Sequence, residues 1–300
     1  MLTSGRNQRL YLPFMDSREP IKMGLKPLKW QDWIEIDDQF VAYLTRKQEL
    51  FQDRYPEVFA SLSSSEAGQK EVLDLLLDYL PQRFPQYYQR RGDRIENILM
   101  QQFWNISDFE AKPLDLAGRL VQEDLCLMRS SPDGYILIAA SVCFPSNWRL
   151  EDKLGQPLDQ IHKPVPQYTE KLEDSTNNFF DHLKVDCPVY RLNWTIVDTS
   201  ELSLRGSKSF SQLDEITVEN AGEKLWIRVE RQTLRRLEKS NHVLFTIRTY
   251  LYPLSIVESN PAIAQNLSTA IQQMPSEIQR YKHLLAIRKI LLDYLNSNLS

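Results

Sequence analysis

His162 lies in the run Lys153-Leu-Gly-Gln-Pro-Leu-Asp-Gln-Ile-His162-Lys-Pro-Val-Pro166. Pro164 and Pro166 fix their own φ and bias the residues before them toward extended backbone, and Pro157 does the same upstream. A neutral imidazole held between such turns suits a lone axial iron ligand, and haem takes only one from the protein. The plain alternative is a histidine that caps a helix end or fills a core gap. His182 at the end of a predicted helix, His242 after Asn241 in a turn, and His283 on an amphipathic helix beside Lys282 read as structural or solvated.

A second run is Leu225-Trp-Ile-Arg-Val-Glu-Arg-Gln-Thr-Leu-Arg-Arg-Leu237, followed by Val243-Leu-Phe-Thr-Ile-Arg-Thr-Tyr250. Between Trp226 and Arg248 the cations Arg228, Arg231, Arg235, Arg236, Lys239 and Arg248 outnumber the anions Glu230 and Glu238, a local +4 in a chain of net charge −4. In a strand alternate residues share a face, so Arg228 joins Glu230 while Arg231 joins Arg235 on the other side. Arginine forks grip carboxylates and phosphates in two-pronged fashion. Haem propionates, a nucleotide phosphate or RNA would suit them; so would a solvated strand face paired to Glu230. In Gln122-Glu123-Asp124-Leu-Cys126, the adjacent carboxylates either steer a cationic amine or form a solvated strand entrance.

Other chemistries are excluded by what the sequence lacks. With 9 glycines there is no G-x-x-x-x-G-K-[ST] and no G-x-G-x-x-G, hence no familiar nucleotide loop. No G-x-S-x-G elbow and no H-x-x-x-H zinc pair occur. The 3 cysteines, Cys126, Cys143 and Cys187, lack C-x-x-C spacing, which argues against a disulfide framework, a zinc ribbon or an iron–sulfur site. Cys126 and Cys143 sit in apolar runs and read as small buried hydrophobes. The 300 residues, 42% apolar and 25% charged, are of ordinary globular composition. A mildly acidic chain has no global attraction to nucleic acid or anionic membrane. No signal peptide and no apolar run of about 18 residues is evident, so a cytoplasmic protein is expected, without membrane or nucleic-acid partners.

These residues must be positioned by elements that the pattern outlines. Residues 1–37 are punctuated by Pro13, Pro20 and Pro27. Asp37 is the expected N-cap of a helix running to about Tyr55; a second helix passes through Val72, Leu76 and Tyr79 and stops at Pro81; Arg94 to Phe103 forms a third. Leu125–Met128 and Tyr135–Phe144, around the turn Ser131-Pro-Asp-Gly134, form a hairpin. A helix from Thr169 to Leu183 crosses over to strands at Val189–Val197, Lys224–Leu234 and Val243–Leu251. Asn260-Pro261 caps a helix through Met274, and after Pro275 another carries Leu284, Ile287, Leu291 and Leu295. The expected fold is α+β: a five-stranded antiparallel PAS-like sheet with a helical crossover. Its expected division is an irregular and helical segment packing on the core (1–119), the PAS-like core (120–255) and C-terminal helices (256–300).

Several blocks then carry a resemblance: Gln122-Glu-Asp-Leu-Cys-Leu-Met128, Ala140-Ser-Val-Cys-Phe-Pro-Ser-Asn-Trp148, Lys153-Leu-Gly155, Ile161-His-Lys-Pro-Val-Pro166, Arg191-Leu-Asn-Trp194, Glu230-Arg-Gln-Thr-Leu-Arg-Arg236 and Phe245-Thr-Ile-Arg-Thr-Tyr250. In this order and spacing the chain resembles the haem-dependent oxidative N-demethylase alpha-subunit-like family, also called dimethylamine monooxygenase-like, from Gly24-Leu-Lys-Pro-Leu28 to Tyr281-Lys282. The resemblance implies a haem b-binding PAS domain that oxidises a small secondary amine such as dimethylamine with O₂, releasing formaldehyde. It implies a reductase partner, with NADPH, FMN and a 2Fe–2S cluster on separate subunits. His162 falls in the block matched to the proximal iron ligand. Arg228, Arg231, Arg235, Arg236 and Tyr250 are the expected cofactor contacts. Arg248 and Thr246 are expected to stabilise charge on oxygen, and Glu230 or Glu123 to hold the substrate ammonium. Glu238 stands where the family pattern is expected to have Pro. The same pocket without turnover would be a gas or redox sensor, and without haem an anion-binding protein.

Overall fold

A computed structural model describes residues 9–15, 24–166, 173–206, 210 and 213–299. The apolar, β-rich runs from residue 124 onward form an antiparallel sheet. Its main strands are β6 (Asp124–Ser131), β7 (Gly134–Ser141), β8 (Val189–Val197), β9 (Trp226–Arg236) and β10 (Val243–Pro253). The β6–β7 hairpin turns at Ser131-Pro-Asp-Gly134, where Gly134 adopts φ 91° and the Ser131 hydroxyl donates to the Gly134 carbonyl over 2.7 Å. A residue other than glycine would be strained there.

Two further edges come from the N-terminal part: β1 (Lys26–Pro27) on β8 and β2 (Phe59–Ser61) on β7. The sheet therefore has seven strands rather than five, in the order β1-β8-β9-β10-β6-β7-β2. Elements of two and three residues are too short to leave a period-two signature. The expected helix at Arg94–Phe103 is also corrected. Here β3 (Tyr88–Arg91), β4 (Arg94–Asn97) and β5 (Gln102–Asn105) form a separate three-stranded sheet. Gly92 at φ 58° makes the two-residue turn Gly92-Asp93, a short hairpin signal that the nearby apolar spacing obscures.

Helices cover both faces. The helices Phe40–Asp53, Glu66–Arg83 and Pro113–Leu120 share one core with Leu125, Leu127 and Leu244. The second of these runs through Pro81 instead of ending there, since a proline in the last turn removes only one backbone donor. The helices Pro261–Gln273 and Arg288–Ser297 pack on Ile227, Val229, Tyr250 and Tyr252. Asn260 caps the former, accepting from Ala262 N at 2.9 Å, as its Asn-Pro start predicts. The expected final helix is broken. Ser276–Tyr281 ends at Lys282, and His283 takes the left-handed conformation, φ 57°, before the chain resumes at Arg288. The crossover between β7 and β8 places Leu158–His162 and Glu173–His182 on the opposite face, where Leu158, Phe180 and Leu183 meet Cys126, Leu234 and Val243. Positions 169–172 of the expected crossover helix, like Pro20, lie outside the described residues. Cys126 and Cys143 are buried and Cys187 is exposed. Among the described residues no helix is long and apolar enough to cross a membrane.

Two packing details carry predictions. A Cβ on Gly118 would stand 1.9 Å from Ser141 Oγ and 2.7 Å from Ser141 Cβ on β7. The helix would gain about 1 kcal/mol in propensity from Gly118→Ala. Overpacking against strand β7 costs more, roughly 1–3 kcal/mol. The variant is therefore expected to unfold at lower urea; a higher midpoint would show that the strand yields freely.

His242 is 7% exposed, its Nδ1 has no hydrogen-bond partner, and it packs against Gly68. Burial, then Arg129, pushes its pKa below the ordinary 6.5, while Glu71 opposes this. The unfolded chain therefore takes up the proton first. This contribution to stability is complete above about pH 6.5 and is lost as pH falls through the depressed folded value. His242→Gln is expected to flatten the loss of stability between pH 7 and pH 5. Unchanged curvature would show that the imidazole is solvated.

Candidate functional site

The pairing of β9 with β10 sorts the expected site residues onto two faces. The register joins Arg231 to Arg248 and Thr233 to Thr246, and it places Val229 beside Tyr250. These side chains face the N- and C-terminal helices. Arg228, Glu230, Gln232 and Arg236 alternate with them and face the crossover. The sheet thus separates Arg231, Arg235, Thr246, Arg248, Tyr250 and Glu123 from His162, Glu230, Arg228 and Arg236.

The first group forms a buried ionic network that fastens the segment before the first long helix to the sheet. Arg248 reaches Asp37 Oδ2 at 2.9 Å and Thr249 O at 2.8 Å. Arg231 donates to the carbonyls of Trp33 and Asp32 and lies 3.6 Å from Glu35. Glu35 also accepts from Tyr11 Oη at 2.6 Å and from Tyr250 Oη. Glu123 accepts from Glu35 N at 3.1 Å, and its Oε2 has no partner. Burial raises the Glu123 pKa, against the pull of Arg248. Arg235 stacks 4.2 Å above Trp30, and the Thr233 and Thr246 hydroxyls share a 2.7 Å hydrogen bond. Asp37 is not the expected N-cap: the helix Phe40–Asp53 is capped at Gln39 without a side-chain bond, while Asp37 accepts from Gln39 N at 3.0 Å and its other oxygen serves Arg248.

The second group lies toward the crossover. His162 ends the helix Leu158–His162, and its Nδ1 lies 2.9 Å from Leu158 O. A backbone carbonyl there fixes the tautomer with the proton on Nδ1 and the lone pair on Nε2. Burial lowers the His162 pKa; the Leu158 contact opposes this, and Arg191 and Lys153 reinforce it. The ring is therefore neutral at pH 7. Lys153 Nζ donates to Ile161 O at 2.9 Å and holds the end of this helix.

On the same side of the sheet, Glu230 accepts from Ser146 Oγ at 2.9 Å and from Gln232 Nε2 at 3.1 Å, with Arg228 Nε 3.5 Å away. The Arg228 guanidinium also donates to Phe144 O and Leu202 O, each at 2.8 Å. Arg236 donates to Leu183 O at 3.1 Å and Asn241 O at 2.8 Å, and to Phe180 O, so it ties the crossover helix to the sheet. Sequence reasoning missed two cations here. Arg191 on β8 lies opposite Gln232, and its Nε is buried without a hydrogen-bond partner. Lys282, at the break between the C-terminal helices, donates to Asn193 Oδ1 at 3.1 Å and Trp194 O at 2.5 Å. Burial pushes the Lys282 pKa down to about 8, Glu230 opposing and Arg191 adding to the shift. Arg191 stands inside a recognised block, yet only the β8–β9 register shows that it shares a face with Glu230.

This face is incompletely covered by the described residues. Along β10, Thr246, Arg248 and Tyr250 are buried, whereas Phe245, Ile247 and Leu251 are half-buried. The same holds for Arg191, Asn193, Glu230 and Gln232. Fold and site together define an α+β protein whose antiparallel sheet has a partly open apolar and charged surface on the side that also carries a neutral histidine. The chain belongs to the family of haem-dependent oxidative N-demethylase, alpha subunit-like proteins, whose sequence model matches residues 24–292. The family is one of haem-dependent oxidative demethylases, and an alpha subunit implies partner subunits.

Proposed function

We propose that this chain is the haem-binding oxygenase component of an oxidative N-demethylase acting on a small secondary amine, with electrons supplied by partner subunits. The observation that carries this reading is the position of His162. Its tautomer is fixed by Leu158, and the helix it ends lies on the crossover side of the sheet, where the charge of Arg191 helps keep the ring neutral. The donor set fits haem: a neutral imidazole for the iron and Phe245, Ile247 and Ile161 for the apolar ring. The order of the central strands, β8-β9-β10-β6-β7 with a helical crossover before β8, supports a PAS-like core extended by two edge strands. That core, the segments before it and the helices after it act as one integrated unit in this reading.

Haem bound here would supply the activation of O₂ once electrons arrive. The chain's own residues do the rest. His162 holds the iron ligand position, and Lys153 keeps its helix end in place. Glu230, oriented by Ser146 and Gln232, holds the ammonium and accepts its proton as the nitrogen becomes the electron donor. Arg231, Arg235, Arg248, Thr246, Tyr250 and Glu123 keep the opposite face rigid instead of touching cofactor. Arg228 and Arg236 do the same beneath the crossover. NADPH, FMN and a 2Fe–2S cluster belong to the partners. The test is amine-dependent formaldehyde release by haem-reconstituted protein with a supplied reductase. Haem retention without amine-dependent turnover would point instead to a sensor, and failure to retain haem would end the reading.

A further inference from the structure

We propose that the substrate is a zwitterion, an N-methylated amino acid, whose carboxylate is held by Arg191 and Lys282 while Glu230 holds its ammonium. The proposal rests on the demethylase reading above and adds the substrate class. Register fixes the arrangement. Arg191 and Asn193 are alternate residues of β8, placed opposite Gln232 and Glu230 of β9. Such side chains stand roughly 5–8 Å apart, across and diagonally. Lys282 enters from the break in the C-terminal helices and bonds to Asn193, directly opposite Glu230.

Among the described residues the charges on this face do not balance. Glu230 already has Arg228 at 3.5 Å. Arg191 and Lys282 add further positive charge, and no carboxylate among the described residues comes within ion-pair distance of either. Arg191 also keeps a buried donor, Nε, without an acceptor. An unpaired buried donor of a charged group is costly unless a ligand completes it. A bare dialkylammonium would bring another cation into this setting and meet like-charge repulsion from Arg191 and Lys282. An N-methyl amino acid adds no net charge. Its carboxylate answers the two cations, and its ammonium faces Glu230 a few ångströms away. Asn193 and Gln232 supply neutral hydrogen-bonding edges between the two ends.

Titration calorimetry on the haem-reconstituted protein, with N-methylglycine and dimethylamine as probes, reads the preference directly. N-methylglycine is expected to bind at least about tenfold more tightly, the discrimination that one buried charge pair supplies. Arg191→Gln and Lys282→Met should each collapse that ratio toward unity while haem content, read from the Soret band, stays at the wild-type level. Equal affinities, or tighter binding of dimethylamine, would overturn the proposal. So would variants that shed haem yet keep the preference, because the two cations would then be holding the propionates. Repeating the titrations on haem-free protein separates the two: a missing Soret band in the wild type strikes the demethylase reading, while the ratio measured without haem still decides the proposal.

Discussion

His162→Ala leaves the protein folded but unable to keep haem: after reconstitution and gel filtration, its Soret absorbance falls to the background of non-specific haem. The side chain is half-buried at the end of a five-residue helix, and its Nδ1 contact with Leu158 O lies within that helix, so its loss opens only a small cavity. A cost to stability of about 1 kcal/mol is typical of such a site. In the proposed site, by contrast, His162 is the residue that would hold the iron. Added imidazole should enter the vacated space and restore the band, which separates a lost ligand from a collapsed pocket. His162→Gln should behave like Ala, because an amide does not replace an imidazole nitrogen. Undiminished haem content and an unchanged spectrum in His162→Ala would show that another residue binds the iron.

Arg248→Met is expected to be among the most destabilising substitutions in the chain, by about 3–5 kcal/mol. Arg248 is 0% exposed, and its partner Asp37 is 7% exposed on the side chain. Removing the guanidinium leaves Asp37 buried beside Glu35 and Glu123 with one cation fewer, and it removes the donor to Thr249 O. Removing both partners, in Arg248→Met with Asp37→Leu, should recover much of the loss, since the desolvated anion disappears as well. Urea denaturation of the two variants measures this. A role for Arg248 on the oxygen side of haem predicts the reverse: near-normal stability and a large loss of turnover.

How much of this is legible in the residues depends on the length of the element. The strands from Asp124 to Pro253 run for eight residues or more, and their apolar, β-rich runs around clear turns give their positions. β1 and β2 are too short to declare themselves, so the residue pattern underestimates the sheet by its edges. The site shows a similar division. Period two alone separates Arg228 and Glu230 from Arg231 and Arg235. It does not say which face the crossover covers, and so the residue types gather the arginines into one anion site although the sheet parts them. Arg191 and Lys282 give no local signal. One becomes significant through its β8–β9 register, the other through a helix break at His283 that the apolar spacing of Leu284, Ile287 and Leu291 conceals.

The anchoring of the N-terminal segment has a consequence for synthesis. Asp32, Trp33, Glu35 and Asp37 find their partners in Arg231, Arg248 and Tyr250, roughly 200 residues later in the chain. Leu125 and Thr246 meet across neighbouring strands. A ribosome adds about 5–20 residues per second. For many seconds, then, the emerging chain carries the amphipathic helices Phe40–Asp53 and Glu66–Arg83 and the β6–β7 hairpin with no sheet centre to cover them. Pairings so distant in sequence close slowly. Folding is committed only when β9 and β10 emerge. A cell producing this protein must shelter its first half until then, and expression at low temperature or with abundant chaperones should raise the soluble yield.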